Sequence, residues 1–516
     1  MHDGNDMLNR KRFLCQSSEQ GSLLPTYPSD LVAEDHPARL LSEIVDALDL
    51  SVLYGKYSQE GGKSYHPKSL LRILFYGYTN GNRSSRKISQ ACRESFVYMY
   101  LSGGIYPDFR TLSEFRKNNF DTLSYFFQQI VQICYRLGMI SFGTLSLDGT
   151  KIKANASNRR IAKKERLETA LQRIEKDITE MIEEAESIDS QEDAKFGASK
   201  SGEELPEKIK KATERKNKIQ SLLNDLKNDN RSTMSLTDKE SRFMKSHGRL
   251  ELSYNAQCIT ENQVILVYDV NNLEADKEQL VAMVNHCESM AASITQKHQN
   301  PLENSKLLAD SGYDSGQNIS HLINCKMDGY IANQMQSVYE QEKSGTIDAR
   351  PFSKDKFTYH TEGDYYECPT GEKLYPAEKR TETLKSYTRE IVRYQCQTCH
   401  QCRHQGECVK SKTGHRSVKR YMDYDSKRLA MDEKLFAPLG KEIYKKRSTD
   451  VEPVFGHLKS TIFKHGALLV RGMAKARGEF GLACIVHNLK KIVHYIKMML
   501  DIKNVLLMSY KVRKFA

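Results

Sequence analysis

The sequence predicts an α/β core, preceded by an all-α segment and interrupted by two long insertions. Three patterns carry that reading. Short strand patterns recur at 144–147, 253–260, 264–270, 306–309 and 329–332, the third an apolar run rich in β-branched residues. A helical stretch at 277–293 separates the third strand from the fourth, and strands with intervening helices build an α/β core. From residue 35 to about 140 the apolar period is helical.

The chain has 516 residues, and 78 Lys and Arg against 66 Asp and Glu leave a net charge of +12. That length suggests about three domains. Hydrophobic residues at 39% and charged residues at 28% fit a globular protein with a core and a well-solvated surface. No apolar run reaches the ~18 residues of a membrane span, and no signal-peptide pattern opens the chain, so neither a membrane nor a secreted protein is expected. The basic surplus points toward phosphate-rich partners. Twelve cysteines are too few for a disulfide scaffold of this length, and seven of them are scattered, which fits a reducing cytosol.

Taken in order, residues 1–34 are polar and patternless, a mobile lead-in. Over 35–140, Leu40, Leu41, Ile44, Val45 and Leu48 recur at helical spacing, as do Leu70, Leu71, Ile73, Leu74 and Tyr78. Lys68, Arg72, Arg83, Arg86 and Lys87 lie among these short helices, which fits either a compact DNA-binding unit or a bundle with a solvated basic face. The core opens at 141, where the first strand ends at the turn signal Asp148-Gly149, and continues to 334. Within it, 160–229 reads as an antiparallel helical hairpin. Leu167, Leu171, Ile174, Ile178 and Met181 form one seam, and Ile209, Ala212, Ile219, Leu223 and Leu226 the other. A Ser-, Gly- and charge-rich linker at 187–202 joins the arms, whose charges read as a solvated face. Residues 335–440 are a Cys-rich insertion, 441–500 return to the core with two helices, and 501–516 are a basic tail.

Three acids occupy similar local settings. Asp148 and Asp310 each follow a strand, and Glu452 stands in Thr449-Asp450-Val451-Glu452-Pro453, where Thr449 and Glu452 have capping-box spacing and Pro453 suits a first helical turn. Two carboxylates at adjacent strand ends and a third on a nearby helix can bind hard divalent cations through oxygen, and Mg²⁺ suits such a site. Two such ions support phosphodiester displacement. Taken alone, an Asp at a strand end is more often a turn or cap residue, and separations of 162 and 142 residues do not by themselves unite the three acids.

The residues around these acids carry a family likeness. Leu147-Asp148-Gly149-Thr150-Lys151 resembles the first-aspartate motif of DDE-type insertion-sequence transposases, and Leu308-Ala309-Asp310-Ser311-Gly312-Tyr313-Asp314 resembles the second. Tyr444-Lys445-Lys446-Arg447, leading into Val451-Glu452-Pro453-Val454-Phe455-Gly456-His457-Leu458-Lys459, resembles the third, with four residues rather than three between Arg447 and Glu452. Asp238-Lys239-Glu240-Ser241-Arg242, Tyr254-Asn255-Ala256-Gln257 and Pro107-Asp108-Phe109-Arg110 add to it, and the likeness extends from about residue 35 to 495 in the family's order. The resemblance implies an RNase H-like mixed sheet with flanking helices, whose Asp148, Asp310 and Glu452 hold catalytic Mg²⁺ or Mn²⁺. It implies an enzyme of the bacterial cytoplasm that acts at the nucleoid, at least as a dimer, on double-stranded DNA. Such an enzyme cuts transposon ends and joins the freed 3′-hydroxyl to target DNA. On a helix Glu452, Gly456 and Lys459 share one face, so either Lys459 neutralises a phosphate there with Tyr444 and Arg447 contacting the same strand, or Gly456 serves close packing and Lys459 is solvated. A nuclease that only hydrolyses DNA and a catalytically silent DNA-binding descendant are the alternative readings.

The remaining five cysteines cluster. Cys399-x2-Cys402-x5-Cys408 with Cys368 upstream could supply four thiolates to a structural zinc, with Cys396 a competing ligand and His400, His404 and His415 further candidates. Inert thiols are the other reading. The stretch 410–420 carries five Lys and Arg and no acid, either a phosphate contact or a solvated loop. Nine Lys and Arg against three acids in 441–477, and seven against one in 490–514, fit a path for a DNA backbone. His487 and Asn488 lie among apolar residues and are expected to pack or hydrogen-bond rather than catalyse.

Overall fold

The computed structural model describes residues 27–57, 64–196 and 207–515, apart from 247, 298, 334, 336–337, 339–340, 343, 348–349, 384–387, 412–413, 423 and 465–466. Most of the expected lead-in and part of the expected hairpin linker therefore lie outside the described residues. The chain divides into two compact units, Met1–Gly77 with Asn82–Arg116, and Tyr78–Gly81 with Lys117–Ala516.

The first unit is all helical. Pro37 opens the helix Pro37–Asp46, where its missing N–H costs nothing, and the His36 ring accepts the Ala38 N–H at 3.2 Å. Leu41, Ile44, Val45, Leu70, Leu71, Ile73 and Leu74 are buried, as their spacing predicts. The cations expected on a basic face are largely engaged: Lys68 and Arg72 both pair with Asp46, Arg83 is buried, and Arg86 lies over the Phe109 ring.

The second unit is built on a six-stranded mixed sheet. Strands β1 (Thr144–Lys153), β5 (Arg249–Glu261) and β6 (Val264–Asn271) are antiparallel neighbours, while β7 (Lys306–Ala309) and β8 (Asp328–Ile331) run parallel to β1 on its other side. Between β1 and β5 the chain forms a separate antiparallel pair, β2 (Ile161–Lys163) and β3 (Thr233–Ser235), and a short strand, β4 (Arg242–Ser246), pairs with the start of β5. All five strand patterns are present. The first is longer than predicted: Asp148-Gly149 is not a turn, because β5 continues to pair with β1 from Ser146↔Thr260 to Lys153↔Ser253. Here long-range pairing overrides a local turn signal.

Helices cover this sheet. The helix Leu280–Thr295 and the long C-terminal helix Met473–Phe515 both pack on β5 and β6. Gly481 lets the C-terminal helix close onto β6, since a Cβ there would collide with the Tyr268 hydroxyl. Asn488 joins the two by bonding both the N–H and C=O of Ile265, at 2.9 and 2.8 Å, and His487 reaches the Gln263 carbonyl at 2.9 Å. Both residues thus play the hydrogen-bonding part expected of them.

The insertions follow. Helices Lys164–Phe196 and Glu207–Asn228 form the hairpin, with Ile174, Ile209, Ile219 and Leu226 buried along its seam, although the first arm extends well into the predicted linker. The Cys-rich insertion contains an antiparallel sheet of β9 (Thr358–His360), β10 (Tyr365–Glu367), β11 (Lys373–Thr383), β12 (Thr388–Cys396) and β13 (Ser417–Tyr421), in the spatial order 13-12-11-10-9. Among the described residues no helix is long and apolar enough to cross a membrane.

One buried carboxylate sets how β1 enters the sheet. Glu261, at the end of β5, accepts the backbone N–H groups of Ser141, Phe142 and Gly143 at 2.7–2.9 Å and that of Thr144 at 3.3 Å. Phe142 adopts a left-handed φ of 61° to make this possible. Glu261→Ala leaves these donors without their acceptor, and is expected to destabilise the second unit by on the order of 3 kcal/mol in urea unfolding. A loss below about 1 kcal/mol would show that water replaces the carboxylate.

Candidate active site

The parallel register of β1 and β7 pairs Leu147 with Ala309, so the next residue on each strand is an aspartate. Asp148 and Asp310 thus stand side by side at a strand spacing of ~4.8 Å. Beyond this point the two diverge. β1 continues, whereas Asp310 ends β7 and caps the turn Ser311–Tyr313 by accepting the Gly312 N–H at 2.8 Å.

The third acid arrives on the helix Pro438–His457. The sequence pattern predicts Glu452 in a first helical turn, but the helix begins fourteen residues earlier and Pro453 lies inside it. A proline there cannot supply the N–H that would bond the carbonyl four residues back, that of Thr449. The Gln263 side-chain amide takes over this carbonyl at 3.0 Å. Asp450 anchors the same turn by accepting the Thr260 hydroxyl at 2.9 Å and the Gln263 N–H. The capping-box reading fails because tertiary contacts do the work assigned to a cap.

Arg447 lies between the acids. Its Nη1 is 3.1 Å from Asp148 Oδ2 and its Nη2 is 3.6 Å from Glu452 Oε1. Arg447 and Asp148 are largely buried, while the Glu452 side chain is 58% exposed. Tyr444 donates to the Ala309 carbonyl at 3.3 Å, tying the helix to the end of β7. Lys459 follows in the π-helical turn Leu458–Ile462, where burial lowers its pKa against the pull of Asp148. Nothing stands within 4 Å of where a Gly456 Cβ would be, so this glycine does not serve close packing.

Electrostatics record the crowding. Burial raises the Asp148 carboxyl to about 6, Asp310 adds to the rise, and Arg447 opposes it. Asp310 is also raised, first by burial. For Arg447, burial alone would lower the pKa, but Asp148, Tyr444, Asp310 and Glu452 together raise it. Among the described residues no three His, Cys, Asp or Glu side chains are gathered closely enough to hold a metal ion. Two carboxylates adjoin, and Glu452 is reached through Arg447.

A fourth carboxylate, absent from the sequence reading, belongs to the same site. Asp276 opens the short turn Asp276–Glu278, and its Oδ1 accepts Lys151 Nζ at 3.0 Å, Asn255 Nδ2 at 2.8 Å and Gln257 Nε2 at 2.8 Å. Its one signal in the sequence is an acid just ahead of a helix, which reads as a cap. Asn255 and Gln257 come from the Tyr254-Asn255-Ala256-Gln257 motif, which this contact explains.

The cysteine cluster has a different character. Cys368, Cys396, Cys399, Cys402 and Cys408 line one small cavity with Leu374, Val409 and Arg416. Cys396 and Cys399 belong to an apolar core with Phe357, Tyr366, Leu374, Val392, Tyr394 and Val418. Burial pushes the Cys399 thiol up to about 11, and its sulfur accepts the Arg416 N–H at 3.3 Å. His400 and His415 turn to the backbone carbonyls of Gln397 and Cys396, and His404 lies against Arg403 and Glu407. The expected zinc is not supported: Cys396 and Cys399 pack within the apolar core, and His400 and His415 are engaged with backbone carbonyls.

Two family models match the chain. One described as "Transposase domain (DUF772)" covers residues 27–118, and one described as "Transposase DDE domain" covers 367–493. The second includes Tyr444, Arg447, Glu452, Lys459 and the clustered cysteines, while Asp148 and Asp310 precede it. No curated protein and no solved structure matches the chain.

The pKa of Asp148 has a consequence for stability in metal-free protein. A carboxyl raised from 3.8 to about 6 binds its proton more tightly when folded. Its contribution is fully present below about 4 and is lost as pH rises through about 6. Arg447→Met removes the opposing charge and is expected to move the Asp148 midpoint higher still, as read from its carboxyl carbon shift by NMR. A midpoint that stays in place or falls would mean that the guanidinium does not act on this carboxylate.

Proposed function

We propose that this chain, which its two family matches indicate to be an insertion-sequence DDE-type transposase, cuts DNA at transposon ends and joins the freed 3′-hydroxyl to target DNA. The single observation that carries this reading furthest is the β1–β7 register, which brings Asp148 and Asp310 together across 162 residues of sequence. The sheet supports it too: three antiparallel strands followed by two parallel ones, with helices against them, fit an RNase H-like core. In this reading the core of the second unit carries the chemistry, the helical first unit binds DNA, and the hairpin and Cys-rich sheet are insertions.

Two adjoining carboxylates offer oxygen donors only, and burial makes their joint ionisation costly without a nearby cation. They fit a hard divalent ion such as Mg²⁺. When bound, that ion supplies Lewis-acid stabilisation of charge on the phosphate oxygens. The chain's own residues do the rest. Asp148 and Asp310 present fixed oxygens, because one sits mid-strand and the other is locked by the Gly312 N–H. Glu452, which stands 3.6 Å from Arg447, would be the third carboxylate of the set. Arg447 neutralises Asp148 and orients the helix, while Lys459 meets a phosphate beside the scissile bond.

Asp148→Asn, Asp310→Asn and Glu452→Gln are each expected to abolish Mg²⁺-dependent cleavage while leaving end binding within about threefold, because they remove a charge and barely change shape. Near-normal cleavage by any one variant removes that residue from the site. Joining of precut ends distinguishes a transposase from a nuclease that only hydrolyses.

Lys459→Ala is expected to weaken end binding and flatten the slope of log K against log salt by about one phosphate contact. An unchanged slope would mean that Lys459 touches no phosphate.

A further inference from the structure

We propose that Asp276 is a positioning residue that fixes the spacing of the two aspartate segments by tying β1 and the Asp310 turn to one carboxylate oxygen. Three side chains from two strands converge on Asp276 Oδ1. Lys151 comes from β1, three residues beyond Asp148, and spans 3.0 Å to that oxygen. Asn255 and Gln257 come from β5, both fully buried, and each donates at 2.8 Å. Gln257 then turns its carbonyl to the buried hydroxyl of Tyr313, three residues beyond Asp310. One oxygen thus reaches both aspartate segments, directly through Lys151 and indirectly through Gln257 and Tyr313.

The glycines beside each aspartate fit the same device. A Cβ at Gly149 would collide with Gln257 Nε2 and stand 3.1 Å from Asp276 Oδ1, so only glycine next to Asp148 admits the bridge. Asp276 also approaches Gly312, whose Cβ would lie 3.7 Å from the Asp276 Cβ. A carboxylate that accepts three donors in a partly buried setting holds them in one geometry, and amide groups left without it would have to find new partners.

This inference rests on the catalytic reading above, and its test separates the two. Asp276→Ala removes the acceptor, whereas Asp276→Asn keeps an oxygen for the same donors and drops the charge. Hydrogen exchange of peptides spanning 146–152 and 308–316 should rise at least about tenfold in Asp276→Ala, with peptides of the helix Leu123–Arg136 unchanged, and should return close to wild type in Asp276→Asn. Mn²⁺ binding, read by water-proton relaxation, should weaken about tenfold or more in Asp276→Ala and stay within about threefold in Asp276→Asn.

Unchanged exchange at either peptide in Asp276→Ala overturns the proposal, as does an Asp276→Asn variant that fails as badly as the alanine. A rise in exchange across the whole unit also overturns it, because that marks general destabilisation. Wild-type protein that binds no Mn²⁺ and cleaves no DNA defeats the catalytic reading instead, and the exchange result still decides the role of Asp276.

Discussion

Two carboxylates forced together by a strand register are the constraint on which this molecule turns. Parallel pairing of β1 with β7 leaves no freedom over which residues follow Leu147 and Ala309, so Asp148 and Asp310 must stand side by side in the middle of the sheet. Like charges at that distance repel, and burial worsens the repulsion. Arg447 is the structural answer, and the helix that brings it also brings Glu452. Tyr444 on Ala309 and Asp450 on the β5–β6 turn hold that helix in place against the sheet.

The same device recurs away from the site. Buried acids that accept backbone N–H groups fix several joints: Glu261 at the start of β1, Asp450 at the β5–β6 turn, and Glu479 beneath the Leu469 N–H at 2.7 Å. Asp238 belongs with them, taking the Tyr254 hydroxyl at 2.8 Å, and neighbouring Glu240 accepts the Met473 N–H that opens the C-terminal helix. A carboxylate has two oxygens and several lone pairs, so it can gather donors from segments that no single backbone group could reach. The motif around Asp238 is therefore a joint between the sheet and its longest helix.

Much of this was legible in the sequence. All five core strand patterns were, because their apolar content is dictated by burial on both faces. The hairpin seam was legible from its helical step. Asp148 and Asp310 could be singled out by strand endings and family likeness, although nothing local could say that they adjoin. What escaped depended on distant partners. β1 runs past its turn signal because β5 pairs with it, and Pro453 sits mid-helix because Gln263 relieves the carbonyl that it strands. Asp276 was invisible because its donors are on two other strands. The cysteine spacing, by contrast, suggests a metal that the structure does not support, with Cys396 and Cys399 inside a small apolar core.

The order in which these pieces leave the ribosome follows from the register of the sheet. β1 is made long before β7, and the helix bearing Arg447 comes later still, after the whole Cys-rich sheet. Pairings so distant in sequence close large loops and are slow to form. A chain that stops short of Arg447 would carry both aspartates with no cation to sit between them, so its central sheet would lack the charge balance of the finished protein. The charge balance of the two aspartates is therefore set late in synthesis, only after the Cys-rich sheet has been made and before the C-terminal helix that closes over β5 and β6.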